Sequence, residues 1–149
     1  MHENGEETLA STVKFHAIKV KVRPANGIPP TGEVACDITV VGNSSGGKVE
    51  NNKITLDRGE GPFCLQFDLD HSLEWATDVD PIWLQKDSCP DNACSVPDQI
   101  WVDKTPRKGV LTIMDMNVGD GCELHYRLNF TEGRYCDPVI ENGGGNNFD

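Results

Sequence analysis

GVLTIMDMN (109–117) and ELHYRLNF (123–130) are two runs of alternating apolar and polar residues, joined by the glycine-containing segment VGDGC (118–122). Successive side chains of a β-strand point to opposite faces, so each run predicts a strand with one buried face. In the second run the predicted inward residues are Leu124, Tyr126, Leu128 and Phe130, and the outward ones are Glu123, His125, Arg127 and Asn129. Two such strands around a short turn predict a hairpin.

The same alternation appears earlier in the chain. The predicted apolar faces are Val34, Cys36, Ile38 and Val40 in one strand, and Phe63, Leu65, Phe67 and Leu69 in another. Residues 48–56 form a weaker strand that Asn51-Asn52 interrupts, and this pair predicts a tight turn. The run TVKFHAIKVKV (12–22) changes phase between Ala17 and Ile18, which predicts a bulge or a strand that changes sheets.

No stretch keeps a helical period over 11 or more residues, although HSLEWA (71–76) predicts one helical turn capped by Asp70 or Ser72. We therefore predict an all-β protein, a Greek-key β-sandwich of about 7–8 strands that is immunoglobulin-like or cupredoxin-like. A closed barrel is the alternative. The predicted organisation is a flexible arm at 1–11, one domain at 12–142 and a flexible glycine-rich tail at 143–149.

The chain has 24 acidic and 13 basic residues, a net charge of −11. A negative field repels phosphate backbones, so nucleic acid is not an expected partner. No apolar run approaches the roughly 20 residues of a membrane-spanning helix, so we expect no membrane insertion.

Six cysteines occur without a CxxC pair, which favours a disulfide framework over a metal or redox motif. Cys89 and Cys94 flank Pro90-Asp91-Asn92-Ala93, a loop that can turn back and bring the two residues within bonding reach. The sequence leaves three pairings open among the others, namely Cys36, Cys64, Cys122 and Cys136. By phase Cys36 points inward and Cys64 outward, which argues against joining those two.

The cysteine count favours an oxidising compartment, whereas residues 1–7 have neither the basic nor the apolar region of a signal peptide. We expect a periplasmic or secreted protein whose leader is absent from this chain. A cytoplasmic protein with reduced thiols is the alternative.

Candidate metal ligands lie in FDLDHSLEWATDVDP (67–81). Its four aspartates, Asp68, Asp70, Asp78 and Asp80, are hard oxygen ligands of the kind that calcium prefers, but their spacing matches no EF-hand. A cupredoxin-like copper site would use His71 or His16 with Cys122 and His125, but no methionine follows His125. The expected state is no cofactor, with calcium as the alternative and copper after it.

No catalytic set is evident. The chain lacks a GxSxG nucleophile motif and a phosphate-binding glycine loop, and its four histidines fit no known catalytic frame. The aspartates could supply a carboxylate pair for glycoside hydrolysis, which would also need a cleft and one raised pKa. We predict that the protein is not an enzyme.

Trp83 and Trp101 fall out of phase with the apolar residues beside them, so they are either doubly buried or exposed. Exposed indoles beside a polar loop bind proteins or sugars. We therefore expect a binding or structural role for an unknown protein or carbohydrate ligand, with Trp83, Trp101 and the loop 86–98 as the surface. A metal-binding module is the alternative.

The last 40 or so residues carry LTIMDMN, LHYRLNF and CDPVIENGGG. This segment resembles the C-terminal part of small uncharacterised bacterial proteins that end in an Asp-Pro-(Ile/Val)-Ile-x-Asn-Gly-Gly-Gly pattern. The resemblance implies a bacterial source and no particular activity.

Overall fold

The structure is a computed structural model that describes residues 16–42, 46–86, 100–118, 121–143 and 145. Within these residues the chain forms twelve strands and no α-helix, in agreement with the predicted all-β class. Sheet A has the order β3 (Cys36–Val40), β1 (His16–Pro24), β6 (Phe63–Leu69), β9 (Val110–Asp115) and β8 (Ile100–Arg107). Sheet B has the order β2 (Gly32–Glu33), β11 (Arg134–Cys136), β10 (Cys122–Asn129), β12 (Val139–Asn142), β5 (Lys53–Leu56) and β4 (Gly47–Glu50), and β7 (Ile82–Lys86) also pairs with β10.

One apolar core is shared by both sheets. The alternate residues of β6 that the sequence assigned to the core are buried, as are those of β10. The rings of Phe67 in sheet A and Tyr126 in sheet B lie 5.5 Å apart between centroids. The period of two therefore predicted correctly which face of each strand is buried.

Each sheet contains both parallel and antiparallel neighbours. β1 is antiparallel to β3 and parallel to β6, while β5 with β12 and β2 with β11 are the parallel pairs of sheet B. Parallel neighbours cannot be joined by a tight turn, so the chain must leave the sheet before it returns. Neither sheet closes on itself within the described residues, so the barrel alternative is not formed there.

The chain passes from sheet B to sheet A between β2 and β3. Val34 and Ala35 make this crossing, Val34 is buried, and β3 begins at Cys36. The sequence placed a change of sheet, or a bulge, between Ala17 and Ile18 instead. β1 stays in sheet A from residue 16 onward, and the earlier part of that phase change, at residues 12–15, lies outside the described part.

The predicted hairpin between residues 109 and 130 is wrong. β9 pairs with β6 and β8 in sheet A, whereas β10 pairs with β7, β11 and β12 in sheet B. A strand with one buried face fits a hairpin or a crossing equally well, because both arrangements bury that face in the same core. Asn129 is also buried rather than outward, and its Nδ2 donates a hydrogen bond to the Asp80 carbonyl at 2.8 Å.

The tight turn at Asn51-Asn52 is confirmed. Both residues have positive φ, 50° and 63°, and they join the antiparallel strands β4 and β5. Asparagine tolerates this left-handed conformation better than most residues.

The helical turn predicted at residues 71–76 is absent. Its backbone groups bond to the end of β10 and to the chain just after it. Ala76 N–H donates to the Asn129 carbonyl at 2.9 Å, and the Glu74 carbonyl accepts from Thr131 N–H at 2.9 Å. Trp75 forms an isolated bridge with Phe130. These bonds replace the internal bonds that a helix would need.

Candidate functional site

Cys36, Cys64 and Cys136 are free thiols. Cys36 is buried and Cys64 is half-buried on the outward face of β6, as the phases of their strands predicted, and Cys136 is buried as well. None of these three is cross-linked, so the predicted disulfide framework is not formed among them. Cys89 and Cys94 lie outside the described residues.

The four aspartates of residues 68–80 do not come together around one point. Among the described residues, no three acidic, histidine or cysteine side chains lie close enough to hold a metal ion. Asp68 faces Lys21, with 3.8 Å between carboxylate oxygen and ammonium nitrogen. Asp70 instead accepts hydrogen bonds from the Ser72 hydroxyl and backbone N–H.

The histidines considered for copper lie apart, each beside a carboxylate. His16 Nε2 lies 3.1 Å from Glu60, and His125 Nε2 lies 3.3 Å from Glu123. The side chain of His71 is 96% exposed and lies beside Asp70. The structure gives no account of the Cys122 side chain.

Trp83 and Trp101 belong to different sheets. Trp101, on β8 of sheet A, is 58% exposed, whereas Trp83, on β7 of sheet B, is half-buried with Arg127 5.8 Å from its ring centre. The guanidinium of Arg127 also stacks on Tyr135 at 3.9 Å and binds Asp137. The two tryptophans therefore form no common surface, and most of the loop 86–98 lies outside the described residues.

A cleft of about 570 Å³ opens where β6 leaves sheet A. We call it the sheet-end cleft. It is lined by Lys21, Leu69, Asp70, His71, Leu73, Glu74, Trp75, Ala76, Thr77, Pro106, Lys108 and Gly109. Its volume falls within the range of roughly 300–1,000 Å³ that is usual for ligand pockets.

Trp75 fixes the position of the cleft wall. Its Nε1–H donates to the Gly109 carbonyl at 2.7 Å, which ties the segment after β6 to the turn between β8 and β9. Its ring lies 5.9 Å from that of Phe130, and only 8% of the residue is exposed. Sequence reasoning missed this role, because the partners of Trp75 lie 34 and 55 positions away and leave no local pattern.

The rim of the cleft carries both charges. The Ser72 hydroxyl and, to a lesser extent, the Ser72 backbone N–H donate hydrogen bonds to Asp70, and these bonds lower the pKa of Asp70. Its carboxylate therefore stays ionised. Glu74 and Lys108 are exposed and form no ion pair with any described residue. The cleft thus combines an apolar floor with one anion and one cation that pair with no described residue.

Comparison with known proteins assigns no family to this chain. No family model, no curated protein and no solved structure matches it. The described residues contain no helix that is long and apolar enough to cross a membrane. The bacterial resemblance of the last 40 or so residues stays a prediction.

Proposed function

We propose that this protein is a non-enzymatic, extracytoplasmic Greek-key β-sandwich that binds a segment of a partner protein in the sheet-end cleft. The observation that carries the proposal is the cleft itself, with its apolar floor and the charges of Glu74 and Lys108, which pair with no described residue. An apolar side chain of the partner would fill the floor, and flanking charges would meet Glu74 and Lys108.

A peptide segment fits this cleft better than a carbohydrate. Sugars stack on the exposed faces of aromatic rings, but Trp75 is 8% exposed and its N–H is already bonded to Gly109. The net charge of −11 would also favour approach by a basic partner.

The polar groups of the cleft support a binding role over catalysis. A carboxyl group that transfers protons near neutral pH needs a raised pKa, whereas the hydrogen bonds from Ser72 lower that of Asp70. His71 lines the cleft, but its side chain is 96% exposed to solvent. The calcium alternative has no comparable support, since Asp68 and Asp70 already face Lys21 and Ser72.

The strand pairing supports a sandwich and helps to choose between the immunoglobulin-like and cupredoxin-like types. The pair β1–β6 is parallel, which departs from the antiparallel sheets of an immunoglobulin domain. The cupredoxin-like arrangement is therefore the type we propose. The extracytoplasmic location rests on the count of six cysteines alone, because Cys36, Cys64 and Cys136 are free thiols in the structure.

The test begins with selection from a random peptide library on the immobilised full chain. The affinity of one selected synthetic peptide is then measured by calorimetry for three proteins: the wild type, a rim swap (Glu74→Lys with Lys108→Glu) and a control swap (Lys48→Glu with Glu50→Lys). The control exchanges an exposed pair 3.3 Å apart on β4 and also leaves the net charge unchanged.

We expect the rim swap to weaken binding by about tenfold, with the control swap near the wild type. A peptide whose own two charges are exchanged should bind the rim swap better than the wild type. Failure to select any peptide, or equal affinity for all three proteins, would overturn the proposal. Calcium found by elemental analysis of the purified protein would favour the metal alternative.

A further inference from the structure

Two buried thiols meet where the sheets come together. Cys36 begins β3 at the edge of sheet A, and Cys136 ends β11 in sheet B. They are 9% and 3% exposed and belong to the same apolar core, although they stand 100 positions apart in the chain. Both residues line the same pocket, and each thiol shifts the pKa of the other.

Backbone pairing holds both residues in place. Glu33 pairs with Tyr135 in parallel register, and Val34 N–H donates to the Tyr135 carbonyl at 2.7 Å. The chain then crosses to sheet A and reaches Cys36 two residues later, beside Cys136. The meeting of the thiols is therefore built into the crossing between β2 and β3.

We propose that Cys36 and Cys136 are a redox-active pair that closes to a disulfide bond by exchange with a small disulfide, joining the edge of sheet A to sheet B. This inference does not depend on the proposed function. Val34, two residues before Cys36, is bonded to Tyr135, the residue before Cys136, and both cysteines line the same pocket. The fold therefore brings the two side chains to one place, and closing the bond requires the sulfur atoms to approach to bonding distance.

Exposure and pKa assign different roles to the two cysteines. Cys36 is the more exposed thiol, and its interaction with Cys136 lowers its pKa, so Cys36 is the attacking thiolate in this proposal. The same interaction, with burial, raises the pKa of Cys136. The Cys36 thiolate attacks one sulfur of the small disulfide, forms a mixed disulfide and releases one small thiolate. Cys136 then loses its proton to solvent and attacks the Cys36 sulfur, which releases the second small thiol. The two protein thiols are oxidised and one small disulfide is reduced.

Charge beside the pair selects the oxidant. A pocket of about 250 Å³ adjoins both thiols, and Glu33, Asp37 and Asp137 are among its lining residues. Asp137 is paired with Arg127, whereas Glu33 and Asp37 form no ion pair with any described residue. This negative wall favours a cationic disulfide such as cystamine over the anionic oxidised glutathione.

The test uses the full chain, reduced and then treated with cystamine, alkylated, and digested with trypsin without reduction. Cys36 falls in the peptide 22–48 and Cys136 in 135–149, and each peptide contains one cysteine. Mass spectrometry should find these two peptides joined. Alkylation of both residues, or their linkage to other cysteines, would overturn the proposal.

Single variants test the order of attack. Cys136→Ser, which keeps a hydroxyl donor but cannot form a disulfide, should accumulate a cysteamine adduct on Cys36. Cys36→Ala should leave Cys136 unmodified, and Cys64→Ser should retain the link. Adducts on Cys136 rather than on Cys36 would overturn the assigned roles.

In the wild type, cystamine should react roughly tenfold faster than oxidised glutathione at low ionic strength, with a smaller ratio in high salt. Equal rates at low salt would contradict the role given to the acidic residues Glu33 and Asp37. If a variant does not fold, the wild-type peptide map still tests whether the bond forms, and the wild-type rates still test the preference for a cationic disulfide.

Discussion

The hydroxyl of Tyr126 is buried without a hydrogen-bond partner among the described residues, at the centre of the core. An unsatisfied polar group in such a place costs free energy because it has lost its bonds to water. Burial accordingly raises the pKa of this phenol well above its usual range. We expect Tyr126→Phe to raise the free energy of unfolding by about 1 kcal/mol, measured by urea denaturation.

The matched control is Tyr135→Phe, which removes a hydroxyl from the half-buried face of β11. This change should lie within about 0.5 kcal/mol of the wild type. A clear loss of stability in Tyr126→Phe would show that the hydroxyl has a partner after all.

Ser72 controls the ionisation of Asp70 at the rim of the cleft. Ser72→Ala removes the strongest of the bonds that lower the pKa of Asp70, so the pKa should rise, as measured by carbon-13 NMR titration of the carboxyl group. Ser72→Thr keeps a hydroxyl and should leave the pKa low. Because the folded pKa is lowered, its contribution to stability is present above the ordinary carboxyl pKa and is lost as the pH falls through the folded value. An unchanged titration in Ser72→Ala would exclude the hydroxyl as the cause.

Most inward and outward positions could be predicted residue by residue, since burial in a strand follows a period of two. Asn129 and Val40 are the informative exceptions. The amide of Asn129 is satisfied by a carbonyl 49 positions away, and Val40 is 41% exposed at the end of an edge strand. Both outcomes depend on neighbours that are distant in sequence, so a local pattern could not show them.

The two asparagines of the β4–β5 turn differ in their hydrogen bonding. Both need positive φ, but Asn52 also accepts a hydrogen bond through Oδ1 from the backbone N–H of Ile38 at 2.8 Å. This bond ties the turn to β3. Asn52→Gly keeps the turn conformation and leaves that N–H unpaired, so it should lower the free energy of unfolding by about 1–2 kcal/mol relative to Asn51→Gly.

Urea denaturation of the two glycine variants measures this difference. Glycine is placed in the left-handed region in both, so the effect on the turn itself largely cancels. Equal stability of the two variants would mean that the bond to Ile38 contributes nothing.

At the level of elements, the strands themselves were easier to predict than which strands lie side by side in a sheet. The turn at Asn51-Asn52 was recognised because its residues are suited to positive φ. The hairpin of β9 and β10 was not formed, because alternation states which face is buried and not which strand lies alongside. The sheet-end cleft was missed for the same reason, since Leu69, Trp75 and Gly109 meet only after the strands are paired.

A bond between Cys36 and Cys136 would act on the whole molecule. It would close a loop of about 100 residues, for which the chain-entropy model gives about 4.7 kcal/mol of stabilisation. We expect cystamine-oxidised protein to exceed reduced protein by several kcal/mol in urea denaturation. Cys136→Ala should gain nothing from the same treatment. A wild type that is equally stable in both states would show that the bond either does not form or is strained.

The sheet-end cleft and the thiol pair share one structural requirement, namely two separate sheets between which the chain crosses repeatedly, including after β2, after β6 and after β9. NMR of the isotope-labelled full chain tests this arrangement directly through contacts between α-protons of neighbouring antiparallel strands. The expected spectrum shows such contacts between β10 and β7, and ring contacts between Phe67 and Tyr126. Contacts between the α-protons of β9 and β10 would restore the hairpin and contradict the fold.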